Sequence, residues 1–457
     1  MQGLQVYQPQ LFYYLNIEKL VPQNHILRKI DKVFDLSFVR QLTQSFYCHS
    51  NGRPSVDPEL FFRMILVGYI FGIEHDRRLC EEITCNLAYR WYCKLNLEDS
   101  VPDHSSLSRI RDRYGEKTFE VFFDKVIEVC RTKGLVKGER IITDSTLIAA
   151  DASLDSMAVR DAVQDDGTTV PRQDMTAPYP TRKLTNKTHV STTDPDSTLA
   201  RKGGAAQKLK YKVHTSIDAD SRVILDNKVT TGACHETQVY LNRLKYIENK
   251  YALSIQEAIA DRGYGAAENI QSLRGKNIKA FIPLFSSRSG QVLKIEKHGF
   301  IYNKEEDYYK CPEGKYLKRA GTYRNNTPYR SKAKECRICP RSMDCMAIKN
   351  KRREWRYIAR STIQDFFEEH LMYMQEPFFQ SAMKERLWKI EGINAEAKNL
   401  HALKRARYRG LSKVQIQAYM TAVVQNLKRL VVATIQVVLW AIYNLVAEIT
   451  LLPLKFI

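Results

Sequence analysis

"ERIITDSTLI", from Glu139 to Ile148, is the stretch on which the reading of this chain turns. Five of its ten residues are Ile or Thr, the β-branched types that suit a buried strand. Asp144 stands in the middle of the run. A carboxylate there loses water, which is unfavourable unless a partner offsets the loss. The stretch therefore predicts both a strand and a partner for Asp144.

Working outward, LKYKVHTSIDADSRVILDNKVTTG reads as a hairpin, two alternating runs around the turn residues DADS. ETQVYLNRLKYIENKY has helical periodicity. IQEAIADRG is a strand that ends on Asp261, AAENIQSLRGKN is a helix, and IKAFIPL is another strand. This order predicts an α/β fold, a mixed sheet flanked by helices. Residues 1–135 read as an all-helical domain. Its Asp57-Pro58 pair opens one helix, and Asp103 or the Ser105/Ser106 pair opens another. That pattern fits a helix-turn-helix-like DNA-binding module, or equally a scaffold or dimerisation unit. The first part of the mixed-sheet core spans 136–286, interrupted by a polar loop or insertion at 155–207. Residues 287–360 form a Cys-containing insertion, and 361–457 are helical and complete the core.

The chain has 457 residues, with 71 Lys/Arg against 51 Asp/Glu, a formal charge of +20. Such a balance favours a polyanionic partner, nucleic acid before an anionic membrane. The first ten residues show no basic stretch leading into an apolar core, so no export signal is expected. The apolar tail from Leu430 holds Gln436, Asn444 and Glu448 and breaks at Pro453. It is read as a buried or partner-packed helix rather than a membrane span. A cytoplasmic, nucleoid-associated location follows as the expectation.

Asp261, at the end of its strand, is a second acid of the Asp144 kind. Carboxylates that converge repel unless a cation sits between them. Oxygen-only ligands suit Mg²⁺ or Mn²⁺, and a pair of such ions can drive phosphodiester chemistry. The best third acid is Glu391, in KERLWKIEGINAEAKNLHALKRARYRG. Lys398 lies seven residues on and shares its helix face. Arg386, Arg405, Arg407 and Arg409 surround them, and from Ser381 to Leu430 there are eleven Lys/Arg and three Glu. An amphipathic surface helix fits the spacing as well. A second basic run, Thr181 to Val213, includes Lys212 and reads as a solvated loop or a phosphate-tracking arm.

The order of a helical N-terminus, D-S-T on a first strand, Y-K-V-H-T, A-D-R-G-Y-G, then E-G-x-x-x-E-A-K-N and R-A-R-Y-R-G-L resembles the DDE transposases of bacterial insertion sequences. The resemblance runs from about residue 10 to 430. It implies an RNase H-like catalytic core with Asp144, Asp261 and Glu391 as a triad binding two Mg²⁺ or Mn²⁺ ions. It also implies double-stranded DNA partners, the element's terminal inverted repeats and the target, and joining of 3′-hydroxyls to that target. Paired cutting of two ends makes a homodimer the expectation. Lys398 matches the family's signature around the third acid. Leu387 and Lys384 stand where that signature has Arg and Tyr, with Arg386 one place off register. Asp151 is the rival of Asp144, and Glu396 and Glu385 are the rivals of Glu391. The other readings of the whole chain are a catalytically silent DNA-binding descendant and a nuclease without joining activity.

Cys311, Cys336, Cys339 and Cys345 lie between the second and third acids. A C-x-x-C knuckle with two further thiolates suits tetrahedral zinc; reduced thiols in a small Tyr-rich subdomain fit equally. Lys332, Lys334, Arg337 and Arg341 make that subdomain a DNA contact in either case. His235 is read as the cap of the next helix, His214 as structural, and Trp388 as core beside Ile390.

Overall fold

The computed structural model describes residues 16–48, 52, 55–160, 184–285, 294–295, 297–349 and 355–451, without side chains at 348–349 and 437–451. The chain forms two compact units, one from Met1–Cys234 with Lys389–Ile457, the other from His235–Trp388.

The first unit opens with helices α1 (Ile17–Leu20), α2 (Ile26–Val33), α3 (Phe38–Thr43), α4 (Pro58–Ile70), α5 (Asp76–Cys85), α6 (Leu87–Tyr92) and α7 (His104–Thr132). The caps are local. Asp57 accepts from the Glu59 N–H with Pro58 in the first turn, and Asp103 accepts from the Ser105 N–H. Ser105 and Ser106 lie inside α7. Every residue of α4 from Phe61 to Ile70 is buried. Phe62 stacks on Phe122 at 4.5 Å, and Phe61 meets Tyr114 edge-on at 5.5 Å. The buried Arg63 is held by Glu59, Asp31 and the Tyr92 carbonyl. α4 is thus the hub of the helical region and has no face left for a DNA groove.

The strand foreseen around Asp144 is β1 (Arg140–Ala149). Four further strands lie in this unit before the hairpin closes: β2 (Met157–Val159), β3 (His189–Ser191), β4 (Thr198–Ala200) and β5 (Lys208–Asp218), and β6 (Ile224–Thr231) completes the hairpin. β1 runs antiparallel to β5 from Ile141↔Asp218 to Ala149↔Lys210, with Asp144 opposite Thr215. β5 also pairs with β6 and β4. The polar segment read as a loop contributes β2, β3 and β4; their three-residue length is too short to show alternation. Residues 161–183 of that segment, with the basic Arg182 and Lys183, lie outside the described residues.

α13 (Leu411–Leu451) organises this unit. It packs on β6, α7, α2 and α4. Its side-chain amides cover the open edge of β6. Gln415 accepts from the Val229 N–H at 2.8 Å and donates to the Asn227 carbonyl at 2.6 Å. Asn426 does the same for the N–H and carbonyl of Ile224, at 2.8 and 2.9 Å. Edge strands carry unpaired backbone groups that must be satisfied when buried. Two carboxylates start the helix: Asp194 accepts from the Gly410 N–H and Asp196 from the Leu411 N–H. The apolar stretch past Val437 continues this helix to Leu451. No described helix is long and apolar enough to cross a membrane.

The second unit holds α8 (Glu236–Tyr251), β7 (Glu257–Ala260), α9 (Ala267–Gly275) and β8 (Lys279–Phe281), with β7 and β8 parallel. It then builds an antiparallel sheet from β9 (Ile301–Asn303), β10 (Tyr308–Lys310), β11 (Tyr316–Arg319), β12 (Asn326–Arg330), β13 (Ile348–Lys349) and β14 (Arg356–Ser361), in the order β13-β14-β12-β11-β10-β9. α10 (Ala333–Arg337) and α11 (Gln364–Tyr373) flank it, and α12 (Pro377–Leu400) begins in this unit and ends in the first. The fold class is therefore the mixed α/β arrangement with a helical N-terminal region that the sequence predicts.

Replacing Gln415 or Asn426 by Leu strands two buried backbone groups of β6. Each change should cost about 2–4 kcal/mol, at roughly 1–2 kcal/mol per unsatisfied group. Urea unfolding should show a lowered midpoint at unchanged slope, and an unchanged midpoint would mean the edge finds other partners.

Candidate active site

In the first unit Asp144 lies on β1 with 9% exposure. A neutral partner, not the expected cation, faces it here: Asn394 of α12 donates its amide to Asp144 Oδ2 at 3.1 Å. Asn394 sits in E-G-I-N-A-E-A-K, three residues after Glu391 and four before Lys398. Helical spacing sets all three on one face, so the face that carries Glu391 is the one turned to β1. Glu391 itself is exposed. Lys398 is half-buried, and its ammonium pKa is lowered by burial and by the like charges of Lys202 and Lys210, while Asp144 opposes that shift. Asp144 is thus set among lysines.

The rivals are occupied elsewhere. Asp151 follows β1 and is ion-paired to Arg405 at 2.6 Å and Arg409 at 3.2 Å. Glu396 belongs to a different face of α12. Burial raises its pKa, but His401, Arg429, Gln425 and Lys428 outweigh that and hold it at about 2. Gln425 also donates to the Ile393 carbonyl, so this network fastens α12 to α13.

In the second unit Asp261 follows β7 directly and caps a tight turn over Arg262–Tyr264, accepting from the Gly263 N–H at 2.8 Å. Arg386 lies 3.7 Å from its other oxygen. The turn continues into Gly265, where an added Cβ would stand 2.0 Å from the Pro283 carbonyl oxygen. That contact explains the second glycine of A-D-R-G-Y-G.

Several residues expected to contact DNA also make contacts within the first or the second unit. The R-A-R-Y-R-G-L stretch extends the sheet at the end of β1, with the Ala406 N–H bonded to the Ala149 carbonyl at 2.7 Å. Arg405 and Arg409 remain exposed but are paired to Asp151. Arg407 stacks on Tyr69 at 4.2 Å, and Tyr408 lies under Arg111 at 4.5 Å. Gly410 adopts φ +88°, the left-handed region that favours glycine. Lys212 is 8% exposed and donates to the Cys234 carbonyl at 2.6 Å. Arg386 is 7% exposed. Sequence shows the charge of these groups but not their direction: Lys212, Arg386 and Arg407 are turned inward, Arg405 and Arg409 outward.

The four cysteines expected to bind zinc are placed as follows. Among the described residues no group of three or more His, Cys, Asp or Glu is placed to hold a metal ion. Cys336 lies 2.9 Å from the Ser331 hydroxyl, and Cys311 accepts from the Lys315 N–H at 3.3 Å. Cys311 and Cys345 pack against the subdomain's apolar cluster. Cys311, Cys339 and Cys345 line one cavity with Glu313 and Asp344, while Cys336 is turned to Ser331. Trp388 is 60% exposed, against the core reading. His235 caps α8 through the Thr237 N–H, and His214 bonds Thr230 inside the sheet. Sequence reasoning missed Asn394; its place between Glu391 and Lys398 on one helix face was the available signal.

Among the described residues no three metal-ligating groups are gathered on one site, so the acids bear on a divalent cation by their donor chemistry alone. Asp144 and Glu391 offer hard oxygens on facing elements of the first unit, and Asp261 offers another in the second.

Glu396→Gln should lower stability at neutral pH and flatten acid unfolding. A carboxyl held at about 2 from a usual 4.5 adds stability above pH 4.5 that is lost as pH falls toward 2. Thermal melts across that window check this, and parallel curves for both proteins would refute it.

Residues 15–113 match the Transposase domain (DUF772) family, and residues 310–431 match the Transposase DDE domain family. The second match includes Glu391, Asn394 and Lys398. No curated protein matches the chain. Among solved structures, a piggyBac transposase synaptic complex with hairpin DNA aligns at 10% identity over 88% of this chain and 72% of that one, with a TM-score of 0.32. The Mos1 transposase paired-end complex with left transposon end aligns at 10% identity over 54% of this chain and 63% of that one, TM-score 0.17. A Mos1 mariner paired end complex with Mn aligns at 11% identity over 53% and 65%, TM-score 0.16. The chain thus carries a match to a transposase domain on its N-terminal side and a match to a transposase DDE domain toward its C-terminal side, over 99 and 122 of its 457 residues.

Proposed function

We propose that this transposase cuts at the ends of a mobile element of the bacterial insertion-sequence type and joins the freed 3′-hydroxyls to target DNA. The observation that carries the reading is the Asp144–Asn394 hydrogen bond beside Lys398. It sets a largely buried carboxylate opposite the helix face that carries Glu391, among cations suited to a phosphate backbone.

Asp144, Asp261 and Glu391 are proposed to hold two divalent cations, Mg²⁺ or Mn²⁺, on an RNase H-like core. Such ions, when bound, activate a water or hydroxyl and stabilise the leaving oxygen of a phosphodiester. The chain's own groups do the rest. Asn394 fixes the direction of the Asp144 carboxylate by donating to one oxygen. The Gly263 N–H fixes Asp261 in the same way, with Arg386 behind its other oxygen. Lys398, Lys202 and Lys210 attract the DNA backbone and hold it beside Asp144. No side chain is needed as a covalent nucleophile. Two copies acting on two ends, within reach of the bacterial nucleoid, complete the proposal. A silent DNA-binding descendant is the second reading, favoured by the exposure of Glu391.

The test is cleavage of DNA carrying the element's own ends, with Mg²⁺ or Mn²⁺, by the native protein and by Asp261→Asn. Metal-dependent cutting at the ends should fall by a factor on the order of 10² or more in the variant. Salt-sensitive binding with no cutting under either metal would establish the silent protein instead.

A further inference from the structure

The antiparallel sheet of the second unit has two unlike faces. On the inner face Tyr302, Tyr309 and Tyr329 are tied to fixed partners. Asp307 accepts from the hydroxyls of Tyr302 and Tyr329, and Arg360 lies over Tyr302 at 3.9 Å and donates to the Tyr309 hydroxyl. These tyrosines close the apolar cluster with Leu317 and Ile358.

The outer face follows from the strand registers. Residues opposite one another in neighbouring strands project from the same face. Tyr308 lies opposite Lys318, Lys318 opposite Arg330, and Arg330 opposite Tyr357. One row therefore crosses four strands as Tyr, Lys, Arg, Tyr. A second row sets Lys310 opposite Tyr316. The rings lie close: Tyr308 meets Tyr316 edge-on at 4.9 Å, and Arg330 covers Trp355 at 4.5 Å. Tyr316 is 50% exposed, and Lys310, Lys318 and Arg330 are exposed.

Two features say what this face is for. Lys318 and Arg330 are like charges directly opposite each other, an arrangement that destabilises a sheet unless an anion lies across it. The segment Lys310–Arg360 also holds sixteen Lys/Arg against four Asp/Glu, a net +12 of the chain's +20. Cations alone would serve any duplex backbone. Cations alternating with aromatic faces on an open sheet serve unpaired bases, which stack on the rings while the phosphates meet the charges. In a duplex the base faces are already stacked on one another. Glu306 and Asp307 line one cavity with Tyr308, Tyr316 and Lys318, and Arg319 pairs with Asp307 at 3.4 Å, which offsets that acid.

We infer that the outer face of β10, β11, β12 and β14 is a platform for single-stranded DNA, with Tyr308, Tyr316 and Tyr357 as stacking surfaces and Lys310, Lys318 and Arg330 as phosphate contacts. The inference rests on the proposed function only for the source of the strand, which cutting at an element end supplies.

The test compares binding of a labelled oligo-dT and of a duplex of unrelated sequence by the full chain, across a salt series. Tyr308→Ser with Tyr316→Ser should weaken oligo-dT binding by roughly tenfold or more and leave duplex binding unchanged. Tyr308→Phe with Tyr316→Phe should retain native binding, which separates lost stacking from lost folding. Lys318→Ala with Arg330→Ala should reduce the salt slope for oligo-dT by about 1.4. Equal loss of oligo-dT and duplex binding in the Ser variant, or no loss of either, would overturn the platform. End cleavage is measured alongside: native cutting with unaltered oligo-dT binding in the Ser variant sinks the platform alone. Selective loss of oligo-dT binding without any native cutting sinks the transposase reading and keeps the platform.

Discussion

The first unit depends on the clasp between the amides of α13 and the open edge of β6. A sheet edge buried under a helix must find donors and acceptors from side chains, because the helix backbone is already committed. Gln415 and Asn426 supply both in matched pairs. Once α13 is fixed there, Gln425 and Arg429 draw in α12 through the Ile393 carbonyl and Glu396. α12 can then present Asn394 to Asp144. Asp144 is therefore held by Asn394 of α12, 250 residues further along the chain, and α12 in turn by polar contacts from the last helix.

Charge in this protein divides by direction more than by sequence position. Arginines of the R-A-R-Y-R-G-L stretch are used to knit chain to chain: Arg405 and Arg409 on Asp151, Arg407 on Tyr69. Lys202 and the basic residues of the second unit's outer sheet face are left toward solvent, while Lys398 is half-buried. A polyanion would thus meet two fields of different kind. One is centred on carboxylates and suited to chemistry; the other is interleaved with aromatic rings and suited to holding a strand.

The strand at Asp144, the hairpin after it, the helix at Glu236 and the strand that ends on Asp261 were legible because their apolar periods are long or their turns are explicit. The caps at Asp57 and Asp103 were legible for the same local reason. β2, β3 and β4 were not, since three residues cannot display a period. The outer sheet of 301–361 was hidden by its composition: Tyr, Lys and Arg on both faces blur the alternation that apolar residues would show. The directions of Lys212, Arg386 and Arg407 were hidden because tertiary contacts, not spacing, turn a long cationic side chain inward. Asp144 and Asp261 stand out as acids where an apolar strand should have none, whereas Glu391 rests on helix spacing and on the family resemblance, and only the Asn394 hydrogen bond shows which face of α12 meets β1.

The proposal that Asp144, Asp261 and Glu391 act together on divalent metal is open to direct measurement. Its most direct measurement is Mn²⁺ affinity of the DNA-bound protein, read by titration, for the native chain and for Asp144→Asn, Asp261→Asn and Glu391→Gln. The account predicts that the native complex takes up Mn²⁺ and that each substitution weakens uptake by roughly tenfold or more. Native affinity retained in any one of the three variants would remove that residue from the site and contradict the account.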